Sequence, residues 1–138
     1  MRRIALVLLL VAGCASVPRA DVREAMADWM TALNALDEAR IVEAFAEDAT
    51  AFFPVVKAER VDGHAAIAEV FRQYVAGSPK KTNIVPEDLR VQQYGDVAIV
   101  TFNVHNPSAV SRRTFVWRRD AHGWRIVHMH ASNTPVKQ

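Results

Sequence analysis

One cysteine in 138 residues, Cys14, excludes a disulfide within the chain. The five glycines form no Gly-x-Gly-x-x-Gly, no Gly-x-x-x-x-Gly-Lys and no Gly-x-Ser-x-Gly pattern, so there is no phosphate-cradling loop and no nucleophile elbow. Neither sign of charge dominates. The formal net charge is +2, but Arg2 and Arg3 lie in an N-terminal stretch that reads as an export signal. Without them, 17 − 2 = 15 basic residues face 15 acidic ones, and the electrostatic case for a nucleic-acid partner disappears. The longest apolar run, residues 4–12, is too short to span a bilayer.

What is present suits one globular domain. Apolar residues make up 51% and charged residues 23%, a balance that argues against global disorder. A chain of this length can bury a core without metal or cross-links. At the N-terminus, two arginines, a short apolar run, small residues and the lone cysteine follow one another in the order of a secretory signal. Val11-Ala12-Gly13-Cys14 resembles a bacterial lipobox. That resemblance implies a signal peptide over residues 1–13, a lipid on Cys14, a lipidated tether over 14–20 and a domain over 21–138. Ala15 is not the aspartate that retains such proteins at the inner membrane, so the implied place is the periplasmic side of the outer membrane. An ordinary secretory signal with an incidental cysteine is the alternative.

Asp21 and Glu24 have capping-box spacing, and Val22, Met26, Trp29, Leu33 and Leu36 recur as one apolar stripe, which predicts a helix. Asp37 caps a second, short helix carrying Ile41, Val42 and Phe45, and residues 48–54 read as a strand closed by Pro54. Asp62-Gly63 starts a third helix with Ile67, Val70, Phe71 and Tyr74 on its buried side. Gly77, Ser78 and Pro79 stop it. Four strands follow, over 89–94, 97–105, 110–119 and 124–132, separated by turn residues. Helices first and a meander after them indicate an α+β domain. Large apolar residues fall at both parities: Phe102, Val104, Val116, Trp124 and Ile126 beside Phe115, Trp117, Val127 and Met129. Two apolar faces predict a core on one side and a homodimer interface on the other.

Asn34-Ala-Leu-Asp37, Phe45-Ala-Glu-Asp48-Ala-Thr, Val61-Asp62-Gly63, Trp117-Arg-Arg-Asp120 and Trp124-Arg-Ile-Val-His128-Met-His130-Ala-Ser132 resemble the SnoaL-like superfamily over about residues 22–135. The resemblance implies the nuclear transport factor 2 fold, an antiparallel sheet curved into a cone around three N-terminal helices. The last two strands resemble the branch holding the association domain of calcium/calmodulin-dependent kinase. In that branch the positions matching Asn103, Phe115 and Ala131 face the cavity, some of them as arginines. Here they are an amide, a phenyl and a methyl, so a less cationic, more apolar cavity is implied and an anionic ligand held by three arginines is disfavoured.

The residues expected to line the pocket are Trp29, Phe53, Phe71, Tyr74, Asn103, His105, Phe115, Trp117, Met129 and Ala131. Enzymes of the fold use an inward Asp or His, which makes His105 the candidate general base, with Asn103 or Tyr74 polarising a substrate. His128 and His130 lie two apart on a strand and point the same way, a weak zinc motif for which His105 is the candidate third ligand and no cysteine or carboxylate pair completes the site. A one-residue shift at the turn 120–123 would bring both inward instead, and periodicity leaves that open. No cofactor is indicated. Three functional readings result: a lipid-anchored domain binding a small apolar molecule, a cofactor-independent isomerase or dehydratase using His105, and an oligomerisation module.

Overall fold

The computed structural model describes residues 21–54, 59–78 and 80–136. The expected signal peptide, tether and Cys14 lie outside the described residues. Helix α1 (Val22–Ala35) opens where the Asp21 carboxylate accepts from the Arg23 N–H at 3.1 Å, and it closes at Leu36, whose φ of 57° turns the chain back. Its stripe of Val22, Met26, Trp29 and Leu33 is buried as the spacing predicts. Asp37 caps α2 (Glu38–Glu43), which buries Ile41. Phe45, expected on that helix, instead begins strand β1 (Phe45–Phe52). The positions 41, 42 and 45 fit a helical stripe, but Phe45 gains a closed aromatic cluster with Trp29 and Phe71 from the sheet side. A three-residue strand, β2 (Arg60–Asp62), pairs with β1. Gly63, with φ of 87°, links β2 to α3 (His64–Gly77), and its N–H reaches the Ala49 carbonyl at 2.8 Å.

Strands β3 (Glu87–Tyr94), β4 (Val97–Asn106), β5 (Ala109–Asp120) and β6 (Gly123–Pro135) form the antiparallel meander. The six strands make one curved, open sheet in the order β2-β1-β6-β5-β4-β3, with β1 and β6 running parallel and every other pair antiparallel. The inner face packs on α1 and α3 around Trp29, Phe45, Phe71, Phe115 and Trp117.

The two-sided apolar sheet expected from the sequence is not there. Val116 pairs with His128 and Trp117 with Ile126, so Val127 is an extra residue in β6, a β-bulge. The bulge reverses parity: Trp124 and Ile126 point inward before it, Met129 and Ala131 after it, and all four are buried. Opposite them, Phe102, Phe115 and Trp117 are buried too. The outer face of β4 to β6 carries Thr101, Asn103, Thr114, His128 and His130, with Val97, Ile99, Val110 and Val116 as smaller apolar members. The expectation of a homodimer built on outward apolar residues of these strands loses that ground.

Candidate functional site

Beyond the bulge the sheet curls away from the helices and leaves a cleft of about 710 Å³. Its floor is aromatic. Trp29 of α1 meets Phe115 of β5 edge-on at 4.9 Å, and Phe115 stacks on Phe102 of β4 at 5.7 Å. Phe53, just past β1, stands edge-on to Phe71 of α3 at 5.6 Å. Met129 and Ala131 of β6 complete the apolar wall. Such contacts fix ring positions, and an apolar cleft of this volume is of the usual size for a small-molecule site.

The mouth is shaped by one amide. Asn34, at the end of α1, donates from Nδ2 to the Ile84 carbonyl at 3.0 Å. Its Oδ1 accepts from the Ile84 N–H at 2.7 Å and from the Thr82 hydroxyl at 3.0 Å. This holds the connection between α3 and β3 against α1 and places Ile84 on the rim. Tyr74 stands on the opposite helix, 37% exposed. Asn34 was noticed in the sequence only as part of a family motif; its structural task required the fold.

The cleft has one cationic side chain among its described lining residues, Arg113. Arg113 faces Phe102 on β4 and Ala131 on β6, so it projects from the inner face of β5. Every Asp, Glu and His of the chain lies among the described residues. Five arginines, at positions 60, 72, 90, 118 and 119, form salt bridges with carboxylates, and Arg113 is not among them. Its one hydrogen bond runs from Nη1 to the Arg112 carbonyl at 3.3 Å. Burial lowers the Arg113 guanidinium from its ordinary pKa, and the nearby Tyr74 phenol offsets part of that. Ser111, buried two residues before Arg113, donates to Asn133 Oδ1 across the β5–β6 pair. The cleft therefore runs from an aromatic floor to a polar end.

Of the residues expected to line the pocket, Trp29, Phe53, Phe71, Tyr74, Phe115, Met129 and Ala131 do so. Asn103 and His105 do not. The register pairs Asn103 with Arg112 and Glu87, and His105 with Val110, which turns both side chains to the outer face. His105 Nδ1 sits 3.0 Å from Glu87 Oε2, with both side chains about half exposed. His105 is thus outside the cone and cannot reach a molecule within it. Trp117 is inward but fully buried beneath the cleft. Its indole N–H has no hydrogen-bond partner among the described residues. Positions 103, 115 and 131 carry no cation, and the one cation of the described lining is Arg113.

His128 and His130 also point outward. His128 Nδ1 lies 2.7 Å from Thr50 Oγ1, and Phe52 packs against both rings at 6.0 and 5.6 Å. Burial first, then the neighbouring His130 and Arg60 charges, lower the His128 pKa. No three of the described His, Asp and Glu side chains converge as metal ligands. A second groove, about 850 Å³, runs between α2 and the start of β1. Its cations are engaged, Arg118 with Asp48 at 3.0 Å and Arg125 with the Glu43 carbonyl at 2.8 Å. In the cleft above Phe115, by contrast, the one cation of the described lining, Arg113, holds no carboxylate.

The backbone is shared widely. A nuclear transport factor 2-like protein of unknown function from Pseudomonas putida is similar at a TM-score of 0.74 and 22% identity, over 80% of this chain and 82% of that one. A candidate dehydratase of the same fold from Streptomyces avermitilis follows at 0.71 and 17%, over 82% and 93%. A candidate association domain of calcium/calmodulin-dependent protein kinase type II from Thiobacillus denitrificans matches at 0.67 and 22%, over 83% and 94%. At these identities the likeness concerns the fold alone. No functionally curated protein matches the sequence. Residues 22–137 match the SnoaL-like domain as a whole, and the chain belongs to that family.

Proposed function

We propose that the domain binds a small, largely apolar molecule in the cleft between the helices and the inner face of β4 to β6. The observation that carries this reading is the lining. The floor is built from Trp29, Phe71, Phe102 and Phe115, while no carboxylate or imidazole of the chain faces the cleft. Proton transfer by an inward Asp or His therefore has no candidate here, and Tyr74 and Arg113 are the titratable groups of the described lining. That favours binding over the isomerase or dehydratase reading. Saturable binding of Nile red, a neutral dye, by the full chain tests the proposal. A dye signal that saturates, and that Phe115→Trp reduces by narrowing the cleft, is expected. A linear, non-saturating signal unchanged by that substitution would defeat it.

The second element of the proposal is location. Residues 1–14 support export and lipid attachment at Cys14, with the domain facing the periplasm and anchored in the outer membrane. Feeding the producing cell a fatty-acid analogue should label the wild-type chain and leave Cys14→Ser unlabelled. An unlabelled wild type released as soluble protein would remove the anchor.

A further inference from the structure

We propose that the ligand of the cleft is an amphipathic monocarboxylate whose carboxylate is held by Arg113 while its apolar body lies against Phe102 and Phe115. The inference rests on the binding reading above and names the chemical class that the site takes.

Three observations converge. First, Arg113 shares a face with Phe102, Phe115 and Ala131, so a molecule on the aromatic floor is within reach of the guanidinium. Second, all 15 acidic residues of the chain lie in the described part, and none pairs with Arg113, although five other arginines each hold a carboxylate. A half-buried guanidinium with one long contact to a carbonyl has most of its five donors unspent, and a partly dehydrated cation gains more from an anion than one in water. Third, the other polar side chains at that end, Tyr74, Ser111 and Asn133, are hydroxyls and an amide, with no carboxylate among them. The Tyr74 hydroxyl and the Asn133 amide nitrogen can donate to a carboxylate head group without competing for the charge.

The single charge and the planar fork select the head group. A carboxylate matches a guanidinium with two parallel N–H···O bonds. It also brings one negative charge to one positive charge. A phosphomonoester would bring about −1.5 to −2 and leave unneutralised charge against Phe102 and Val104. A neutral ligand would leave the half-buried cation without a counter-charge. The remaining volume is walled by hydrocarbon and aromatic rings, so the body of the ligand is apolar.

Isothermal titration of the full chain in mild detergent tests the assignment with two matched pairs, octanoate against 1-octanol and 2-naphthoate against 2-naphthalenemethanol. The wild type should bind at least one acid about ten- to a hundredfold more tightly than its alcohol, the range for hydrogen bonds to a charged group. Arg113→Gln should erase that preference while leaving the alcohol's affinity within about threefold, and Arg113→Lys should keep part of it, as a point charge without the fork. The lysine variant also serves if the glutamine variant does not fold. Alcohols bound as tightly as acids by the wild type would overturn the carboxylate assignment and leave the apolar cleft standing. Acid preference that survives in both variants would overturn the role of Arg113. Binding of neither acid nor alcohol would overturn the cleft reading itself, and this inference with it.

Discussion

Asn34 grips Ile84 from both sides: its amide nitrogen donates to the Ile84 carbonyl at 3.0 Å, and its carbonyl oxygen accepts from the Ile84 N–H at 2.7 Å. Fifty residues separate the two, and among the described residues a single backbone bond, from the Thr82 N–H to the Asn34 carbonyl at 3.1 Å, joins α1 to this connection beside the side chain. The side chain replaces the strand neighbour that the segment lacks. Asn34→Ala leaves both half-buried backbone groups without their partner, a loss of about 1–3 kcal/mol. Urea denaturation should show that decrease, and amide exchange at Ile84 should accelerate more than at Val100 in the core of β4. Unchanged exchange at Ile84 would mean that the connection holds itself in place.

The pair formed by His105 and Glu87 is an exposed one, and exposed pairs contribute little. His105→Gln should therefore shift stability by no more than about 0.5 kcal/mol and leave affinity for any cleft ligand within about twofold. Side-by-side thermal melts and titrations decide it. A large loss of binding would place His105 in communication with the cleft through the sheet.

His128 makes a pH-dependent contribution whose sign follows from its environment. Its pKa is lowered in the fold, by burial above all and then by the His130 and Arg60 charges. The unfolded chain, whose histidine titrates at about 6.5, therefore binds the proton more readily. Stability rises with pH wherever the unfolded state holds more protons. The contribution is complete above that value and is lost as pH falls through the interval down to the folded pKa. Melting curves between pH 8 and pH 5 should show His128→Gln losing less stability on acidification than the wild type. Equal acid sensitivity would show that the Thr50–His128 contact stays intact when the ring is charged.

Much of the fold could be read from residue spacing because its elements carry strong local signals. The caps at Asp21 and Asp37, the stripe of α1 and the turns at 95–96, 107–108 and 121–122 all act within a few residues. Strand β2 was missed because three residues carry no period. The bulge at Val127 was missed for a different reason: no glycine or proline marks it, and it shows only in the pairing with β5. It divides the inward apolar residues of β6 between two parities, 124 and 126 before it and 129 and 131 after it. The inward placement of Asn103 and His105 came from the family likeness and conflicts with a signal within the chain. The short turn between β4 and β5 pairs Asn106 with Ala109, and from there Phe102 must face Arg113 and Val100 must face Phe115. Counting back from that turn would have put Arg113 in the cleft. That Arg113 lacks a carboxylate partner is a tertiary fact that no spacing reveals.

Arg113 and Ala131 are direct cross-strand neighbours on the cleft face, which allows the charge of the site to be cancelled from within. Side chains in such pairs stand about 5 Å apart, close enough for a glutamate at position 131 to reach the guanidinium. A carboxylate tethered there acts at an effective concentration in the millimolar range or above, so a free acid of weaker affinity cannot displace it. Ala131→Glu should therefore weaken octanoate as much as Arg113→Gln does. Ala131→Gln fills nearly the same space without the charge. It should reduce octanoate and 1-octanol together, by the factor that lost volume dictates, and so preserve their ratio. The glutamate variant should lose the ratio, and its stability should rise relative to the glutamine variant, because the half-buried Arg113 gains the partner it lacks. If the two variants bind octanoate equally, bulk at position 131 rather than charge at Arg113 governs the cleft.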